Sequence, residues 1–241
     1  MKPLAWRDDP RGAVALLTDA CAVGVRGWLS RDESASWVAD VVAARADWTS
    51  DWDGEQFSLG RAFYTHLEQD ASAAYFRDAA ASDVRVDAHL PAFQSRLRDL
   101  VASLVDGVVR ARRGWCGPGV HIFPAGGQVA REGGVAHFDN EGLAAHHIAR
   151  RRAAISVVVM LGAAHEGGGL RVWDVRYDGR DIATDADLAA ASVVIPYGVG
   201  DVVVIDSYRL HQIQPFDGTR DRISATVHAA EVDPGRWEAW F

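Results

Sequence analysis

The chain has 241 residues, 49% of them hydrophobic and 24% charged, with a formal charge of −8 at neutral pH. That length can bury a sizeable core in one domain, and the ordinary balance of apolar and charged residues excludes a disordered chain. The acidic balance argues against nucleic acid or an anionic membrane surface as partner, since both select a concentrated basic surface.

Residues 1–9 carry charges where a secretory leader needs an apolar core, and no apolar run is long enough to span a membrane. Residues 13–19 are a short apolar helix candidate, and residues 22–28 read as a strand. Ser30 and Glu33 have capping-box spacing, so a helix starts near Arg31. Trp37, Val38, Val41 and Val42 recur at helical spacing and carry it to about Asp47. Trp48 and Trp52 fall in a polar loop over 47–55, and residues 57–64 alternate loosely enough for a strand. The alanine-rich stretch 71–81 favours helix. Pro91 opens a stronger one, on which Phe93, Leu97, Leu100, Val101, Leu104, Val105 and Val108 form a stripe.

From Gly119 onward, short apolar or alternating runs replace the helices. Strand candidates at 120–123, 128–130, 135–139, 154–161, 170–175, 192–195, 201–205 and 223–229 are separated by glycine, proline and aspartate, with a surface loop at 178–188. Helices first and strands later predict an α+β fold: a double-stranded β-helix (jelly-roll) barrel braced by N-terminal helices. The expected organisation is a single domain over 1–241, mainly helical support over 1–115 and jelly-roll core over 116–235.

His137 and Asp139 are two positions apart, so on a strand they project to the same side. His211, reaching the same point from another strand, would complete two imidazoles and one carboxylate. That set holds one face of a non-haem iron(II) ion and leaves the opposite face open. With nine histidines in the chain, a His-x-Asp spacing alone is a weak signal. Asp139 could instead cap the segment starting at Asn140, His211 could be a satisfied core histidine, and Arg222 could pair with Asp217 or Asp221 at the surface. His146 and His147 are neighbours that cannot both face one metal. His66, His89 and His165 read as structural, while His228 shares a strand side with Arg222 by alternation.

The surroundings sharpen the pattern. Residues 200–211 run from a turn through a buried apolar strand and a short polar bend to His211. Arg222, Ile223 and Ser224 follow, opening another strand, and Gly167, Gly168, Gly169 and Leu170 form a turn into a further one. In this order, over about 119–231, the chain resembles the iron(II)- and 2-oxoglutarate-dependent dioxygenases, particularly their prolyl-hydroxylase-like branch. The resemblance implies His137, Asp139 and His211 as Fe(II) ligands, with no catalytic residue beyond them. It implies Arg222 and Ser224 as partners of the remote carboxylate of 2-oxoglutarate, His121 as a further cofactor contact, and O2 as the other co-substrate. Gly169 departs from the pattern, standing where the family usually has an acid. Halogenating members carry glycine or alanine at the acid position, so Asp139 implies hydroxylation of an unactivated C–H and not halogenation.

The helical first half, the stretch 60–68 and the late tryptophans loosely resemble the group that oxidises free amino acids, lysine among them. That likeness implies a small-molecule substrate met by Arg61, Asn140, Glu141, Trp237 and Trp240, although Asn140 departs from the aspartate of the lysine halogenases. Two alternatives stand beside it: a hydroxylase of a peptidyl side chain or natural-product intermediate, and a non-catalytic β-barrel protein that binds metal or ligand. A zinc hydrolase would leave Arg222 unexplained. The two cysteines, Cys21 and Cys116, lack metal or redox spacing and are expected to be reduced, which suits a cytoplasmic protein. Nothing in the residues speaks against a homo-oligomer.

Overall fold

A computed structural model describes residues 2–241; Met1, which opens the charged N-terminal stretch, lies outside them. The first half contains β1 (Lys2–Arg7), β2 (Ala20–Val25), α1 (Arg31–Ala43), β3 (Thr49–Asp51), β4 (Gln56–Leu59), α2 (Phe63–Glu68), α3 (Ser72–His89), α4 (Phe93–Val105) and β5 (Val108–Ala111). The second contains β6 (Gly119–Phe123), α5 (Gln128–Glu132), α6 (Ala145–Arg150), β7 (Ala154–Gly162), β8 (Glu166–Gly167), β9 (Leu170–Arg176), α7 (Asp185–Leu188) and β10 (Ser192–Ile195). It ends with β11 (Val202–Asp206), β12 (Arg209–Ile213), β13 (Phe216–Asp217), β14 (Arg222–Asp233) and β15 (Arg236–Trp240).

The architecture is mixed α/β around a ten-stranded sheet in the order β1-β2-β11-β7-β14-β6-β4-β3, with β15 joining β14 to β5. A three-stranded sheet, β10-β9-β12, packs across from it. Leu170, Val172 and Ile195 of the small sheet share one apolar cluster with Met160, Val203 and Ile205 of the large one.

Alternation along the central strands decides what each face does, because successive side chains on a strand point to opposite sides. Val120 and Ile122 of β6, Ile155, Val157, Val159 and Leu161 of β7, and Ile223, Ala225, Val227 and Ala229 of β14 enter the main core. Leu97, Leu100, Val101 and Leu104 of α4, Val86 of α3 and Val41 of α1 meet them there. Each leucine or valine so buried contributes roughly 1.5–3 kcal/mol. Helix α1 starts as its spacing demands: the Ser30 side chain accepts from the Glu33 N–H while Glu33 reaches back to Ser30, a complete capping box.

Several elements differ from the sequence expectation. Residues 128–130 form helix α5, whose first N–H, at Gln128, is received by Glu55; three residues are too few to show a period. Residues 135–139 make only a single bridge, His137 to His211. The 57–64 run splits because Gly60, at φ 102°, turns the chain out of β4, after which Phe63 begins α2. The alanine-rich helix extends to His89, and α4 begins at Phe93 because Ala92 adopts a left-handed conformation. The first 115 residues also supply β1 to β5, with β2 and β4 inside the large sheet. Both cysteines are free and buried. Among the described residues no helix is long and apolar enough to cross a membrane.

Candidate metal centre and co-substrate cavity

The two histidines face each other across paired backbone. His137 N–H donates to the His211 carbonyl and His211 N–H to the His137 carbonyl, both at 3.0 Å, which sets the rings 4.3 Å apart between centroids. Asp139 is placed by its own N–H, which donates to the Ser207 carbonyl at 2.9 Å. Each imidazole spends Nδ1 on a main-chain carbonyl, that of Val135 at 2.7 Å for His137 and that of Arg209 at 3.0 Å for His211. With Nδ1 so occupied, Nε2 is the nitrogen each ring turns to the cluster: it donates to Asp139 while protonated and can ligate a metal once that proton is lost. Both Nε2 atoms lie 3.3 Å from a carboxylate oxygen of Asp139. The three candidate ligand atoms lie within 4.8 Å of one another.

Electrostatics tie the cluster together. Burial works against a charged carboxylate at Asp139, but the charges of His211 and His228 and the hydrogen bonds from His137 and His211 hold it well below the usual carboxylate range. Burial likewise opposes an imidazolium at His137, and the hydrogen bond and charge of Asp139 outweigh it and raise that residue. His228 Nδ1 sits 3.9 Å from Asp139 and 3.0 Å from the Ser156 hydroxyl, with Trp240 stacked on its ring.

The cavity reaching inward from the triad takes its walls from alternate residues of three strands: His121 and Phe123, Ser156 and Val158, and Arg222, Ser224, Thr226 and His228. These are the side chains opposite to the core set. Arg222 lies at its inner end, 1% exposed, its Nε donating to the Gly168 carbonyl at 3.0 Å, one Nη to Ser224 at 3.1 Å and the other to Tyr197. His121, paired across the sheet with Ser224, contacts Gln56 through Nδ1 at 3.2 Å. Burial pushes it down to about 3, so its ring is neutral at ordinary pH.

A larger neighbouring cavity of about 330 Å³ opens beside His137; Trp52, Glu55, Tyr64 and Glu68 line it, and it shares Tyr64, Phe123, His137 and Ile213 with the inner one. Burial raises the carboxyl of Glu68 and the phenol of Tyr64.

The remaining sequence candidates divide. Glu141 and Trp240 line a small recess with Asp139 and His228. Burial, then the charge of Asp139, pushes Glu141 up to about 7. Arg61 does not reach the cavities: its guanidinium is held by His66 at 2.8 Å and Asp78 at 3.3 Å. The Asn140 amide turns away to Asp181, and Trp237 is committed to the main core. Sequence reasoning passed over Tyr64, Gln56 and Tyr197. Tyr197 carried no signal, lying outside any regular element. Gly169 is explained by space, since a Cβ there would stand 2.7 Å from the Ile195 carbonyl oxygen.

The fold is that of known oxygenases. An N-substituted L-amino acid dioxygenase from Burkholderia ambifaria AMMD superposes with a TM-score of 0.60 at 16% identity, over 95% of this chain and 90% of that one. The epimerase SnoN, crystallised with Fe3+, alpha ketoglutarate and nogalamycin RO, gives 0.56 at 14% identity, over 91% and 84%. An oxidoreductase of the 2OG-Fe(II) oxygenase family from Burkholderia pseudomallei gives 0.51 at 15% identity, over 94% and 93%. A search of curated proteins returned no match. Fold, triad and a family-model match together thus define the 2OG-Fe(II) oxygenase class. Within it, residues 17–232 match the model of the carrier-protein-independent halogenase WelO5 family, and the chain belongs to that family.

Proposed function

We propose that the protein is an iron(II)- and 2-oxoglutarate-dependent hydroxylase acting on an unactivated C–H of a small molecule that bears an amine, such as a free amino acid, lysine being one of that class. The observation that carries this reading is Arg222. Its guanidinium is buried on the cavity of the triad, and its partners among the described residues are a carbonyl and two hydroxyls, with no carboxylate. A buried cation without a counter-ion is unfavourable by several kcal/mol. A dicarboxylate whose far end meets Arg222, with the fork geometry that guanidinium offers, supplies the missing charge.

His137, Asp139 and His211 would hold the iron, a donor set of two imidazoles and one carboxylate that suits Fe(II). Iron and co-substrate, when bound, supply the activation of O2; the chain supplies placement. Ser224 and Tyr197 orient Arg222. His121, neutral, and the apolar walls Phe123, Val158 and Leu170 keep water from the inner cavity. Tyr64 stands where the two cavities meet and keeps its proton, because burial raises it.

The outer cavity supports an amine-bearing substrate. Glu55, which Arg131 approaches at 3.9 Å, and Glu68 bring two carboxyl groups to it, and the rings of Trp52 and Tyr64, 6.0 Å apart, offer faces to a cation. Its enclosure beside His137 fits a small molecule better than a peptide. The family's halogenase description favours a second reading, halogenation, but a halide needs the metal position that Asp139 fills here. On the same reading, the large sheet and the small sheet facing it form a double-stranded β-helix braced by the N-terminal helices. Helical and strand residues from both halves share one apolar cluster, which supports a single domain over 1–241. The free cysteines fit the reducing cytoplasm.

The test is incubation with Fe(II), 2-oxoglutarate, O2 and a panel of amino acids and their amine-blocked derivatives. Succinate should form with amines alone, alongside a product one oxygen atom heavier. Absence of 2-oxoglutarate binding by the intact protein would overturn the reading. Asp139→Gly should lose hydroxylation, and chloride transfer by the unsubstituted protein would instead establish the halogenase.

A further inference from the structure

Behind the turn that carries Ser207 lies a groove of about 610 Å³ that shares no lining residue with the cavities at the triad. Leu17 and Ile155 give it an apolar floor. Arg151, Arg152 and Arg176 line it together with one carboxylate residue, Asp206, which Arg176 already holds. Among the described residues Arg151 and Arg152 have no carboxylate in ion-pair reach; they donate to the carbonyls of Tyr177 and Val232, and both keep further N–H groups. The Arg151 guanidinium stands 5.2 Å from the ring centroid of Tyr208 and 5.6 Å from that of Tyr177, so both rings help to fix it.

A second observation points to a ligand. Tyr208 lines the same groove and is 4% exposed, yet its hydroxyl has no hydrogen-bond partner among the described residues. Buried hydroxyls are almost always paired, and an unpaired one is unfavourable until an acceptor arrives. Two uncompensated cations, an orphan donor and an apolar floor in one concavity describe the complement of an amphipathic anion. The concentration of positive charge is the more telling in a chain whose formal charge is −8.

We propose that this groove binds a small organic anion, a carboxylate or phosphate on an apolar or aromatic body. The anionic group meets Arg151 and Arg152, one of its oxygens accepts the Tyr208 O–H, and the body lies on Leu17, Ile155 and the tyrosine rings. The site is independent of the metal chemistry proposed above. It is adjacent to it through one turn: Ser207, between Asp206 and Tyr208, accepts the Asp139 N–H through its carbonyl at 2.9 Å, and its hydroxyl contacts Ser156 at 3.2 Å.

Titration of the intact protein with anilinonaphthalene sulfonate, an aromatic anion that fluoresces when bound, tests the site. The titration is run with and without 2-oxoglutarate and manganese(II), which on the proposed function occupy the other cavity. Binding should be indifferent to 2-oxoglutarate and weaken about tenfold or more in the double variant Arg151→Gln, Arg152→Gln. Tyr208→Phe, nearly isosteric, should weaken it about threefold with the melting temperature unchanged, and it decides the matter if the double variant folds poorly. Displacement of the probe by phenylacetate or by phenyl phosphate identifies the anionic group. Equal affinity in parent and variants, displacement by 2-oxoglutarate, or failure of both competitors would overturn the proposal.

Discussion

Along β14 the odd positions Ile223, Ala225, Val227 and Ala229 enter the main apolar cluster, while the even positions Arg222, Ser224, Thr226 and His228 line the cavity of the triad. β7 and β6 divide in the same way. One face of these strands gathers the burial that offsets chain entropy; the other buries a cation, hydroxyls and imidazoles, whose desolvation is a cost that a ligand would offset. Neighbouring residues on one strand therefore belong to separate free-energy problems, and substitutions a single position apart should have separable effects.

The largest effect is expected at Arg222. Arg222→Leu should weaken 2-oxoglutarate binding by a factor on the order of a hundred or more, the loss typical when one partner of a buried charge pair is removed. Its melting temperature should hold or rise, since an uncompensated buried cation leaves the core. Calorimetric titration beside a melting curve checks both, and a large loss of stability would erase the proposed division. Ile223→Ala, one residue on, should do the reverse. It should lower unfolding free energy by about 2–5 kcal/mol in urea, with the 2-oxoglutarate dissociation constant of the folded protein unchanged.

His121 and its neighbour Ile122 sharpen the contrast through pH. Burial holds His121 near 3 in the folded chain, far below an unfolded histidine near 6.5, so between those values the unfolded state binds the extra proton. Stability should fall as pH drops from about 6.5 towards 3, and His121→Gln should flatten that slope by up to about 1.4 kcal/mol per pH unit, read from urea melts at several pH values. Ile122→Val should leave the slope alone and lower stability uniformly. The smallest effect is expected at Ser224→Ala. It removes one hydrogen bond to Arg222, worth about 0.5–1.5 kcal/mol, and should weaken 2-oxoglutarate at most about tenfold.

Much of this division was legible before any coordinates. Alternation put Arg222, Ser224 and His228 on one side of a strand; the His-x-Asp spacing was a weak signal by itself, and the family resemblance is what pointed to His137, Asp139 and His211, three side chains the fold brings together. The 192–195 strand appears at its expected bounds and the 154–161 strand one residue longer, because β-branched runs between turns leave little choice. What stayed hidden has no period. Tyr197 and Gln56 meet the site from segments far away in the chain, and Arg61 looked available only because Asp78 and His66 could not be seen beside it. Trp237 and Trp240 could have been separated, since three positions apart on a strand means opposite faces, one in the core and one at the recess. Residues 128–130 were short enough for either helix or strand until Glu55 capped them.

The chain between Gly133 and His137 has a further consequence. It joins no strand, and besides the pair of bonds between His137 and His211 it is sewn to β12 by the Gly134 N–H on the Ile213 carbonyl and the Gln212 amide on the Gly134 carbonyl. Two of the proposed ligands hang from this strap and its continuation, and the third from β12, so a bound ion would act as a rivet between them. Stripping it with a chelator should leave most of the large sheet's amides slow while those of residues 134–139 exchange with deuterium markedly faster, a local footprint that marks where the molecule is fastened by its metal and not by its core.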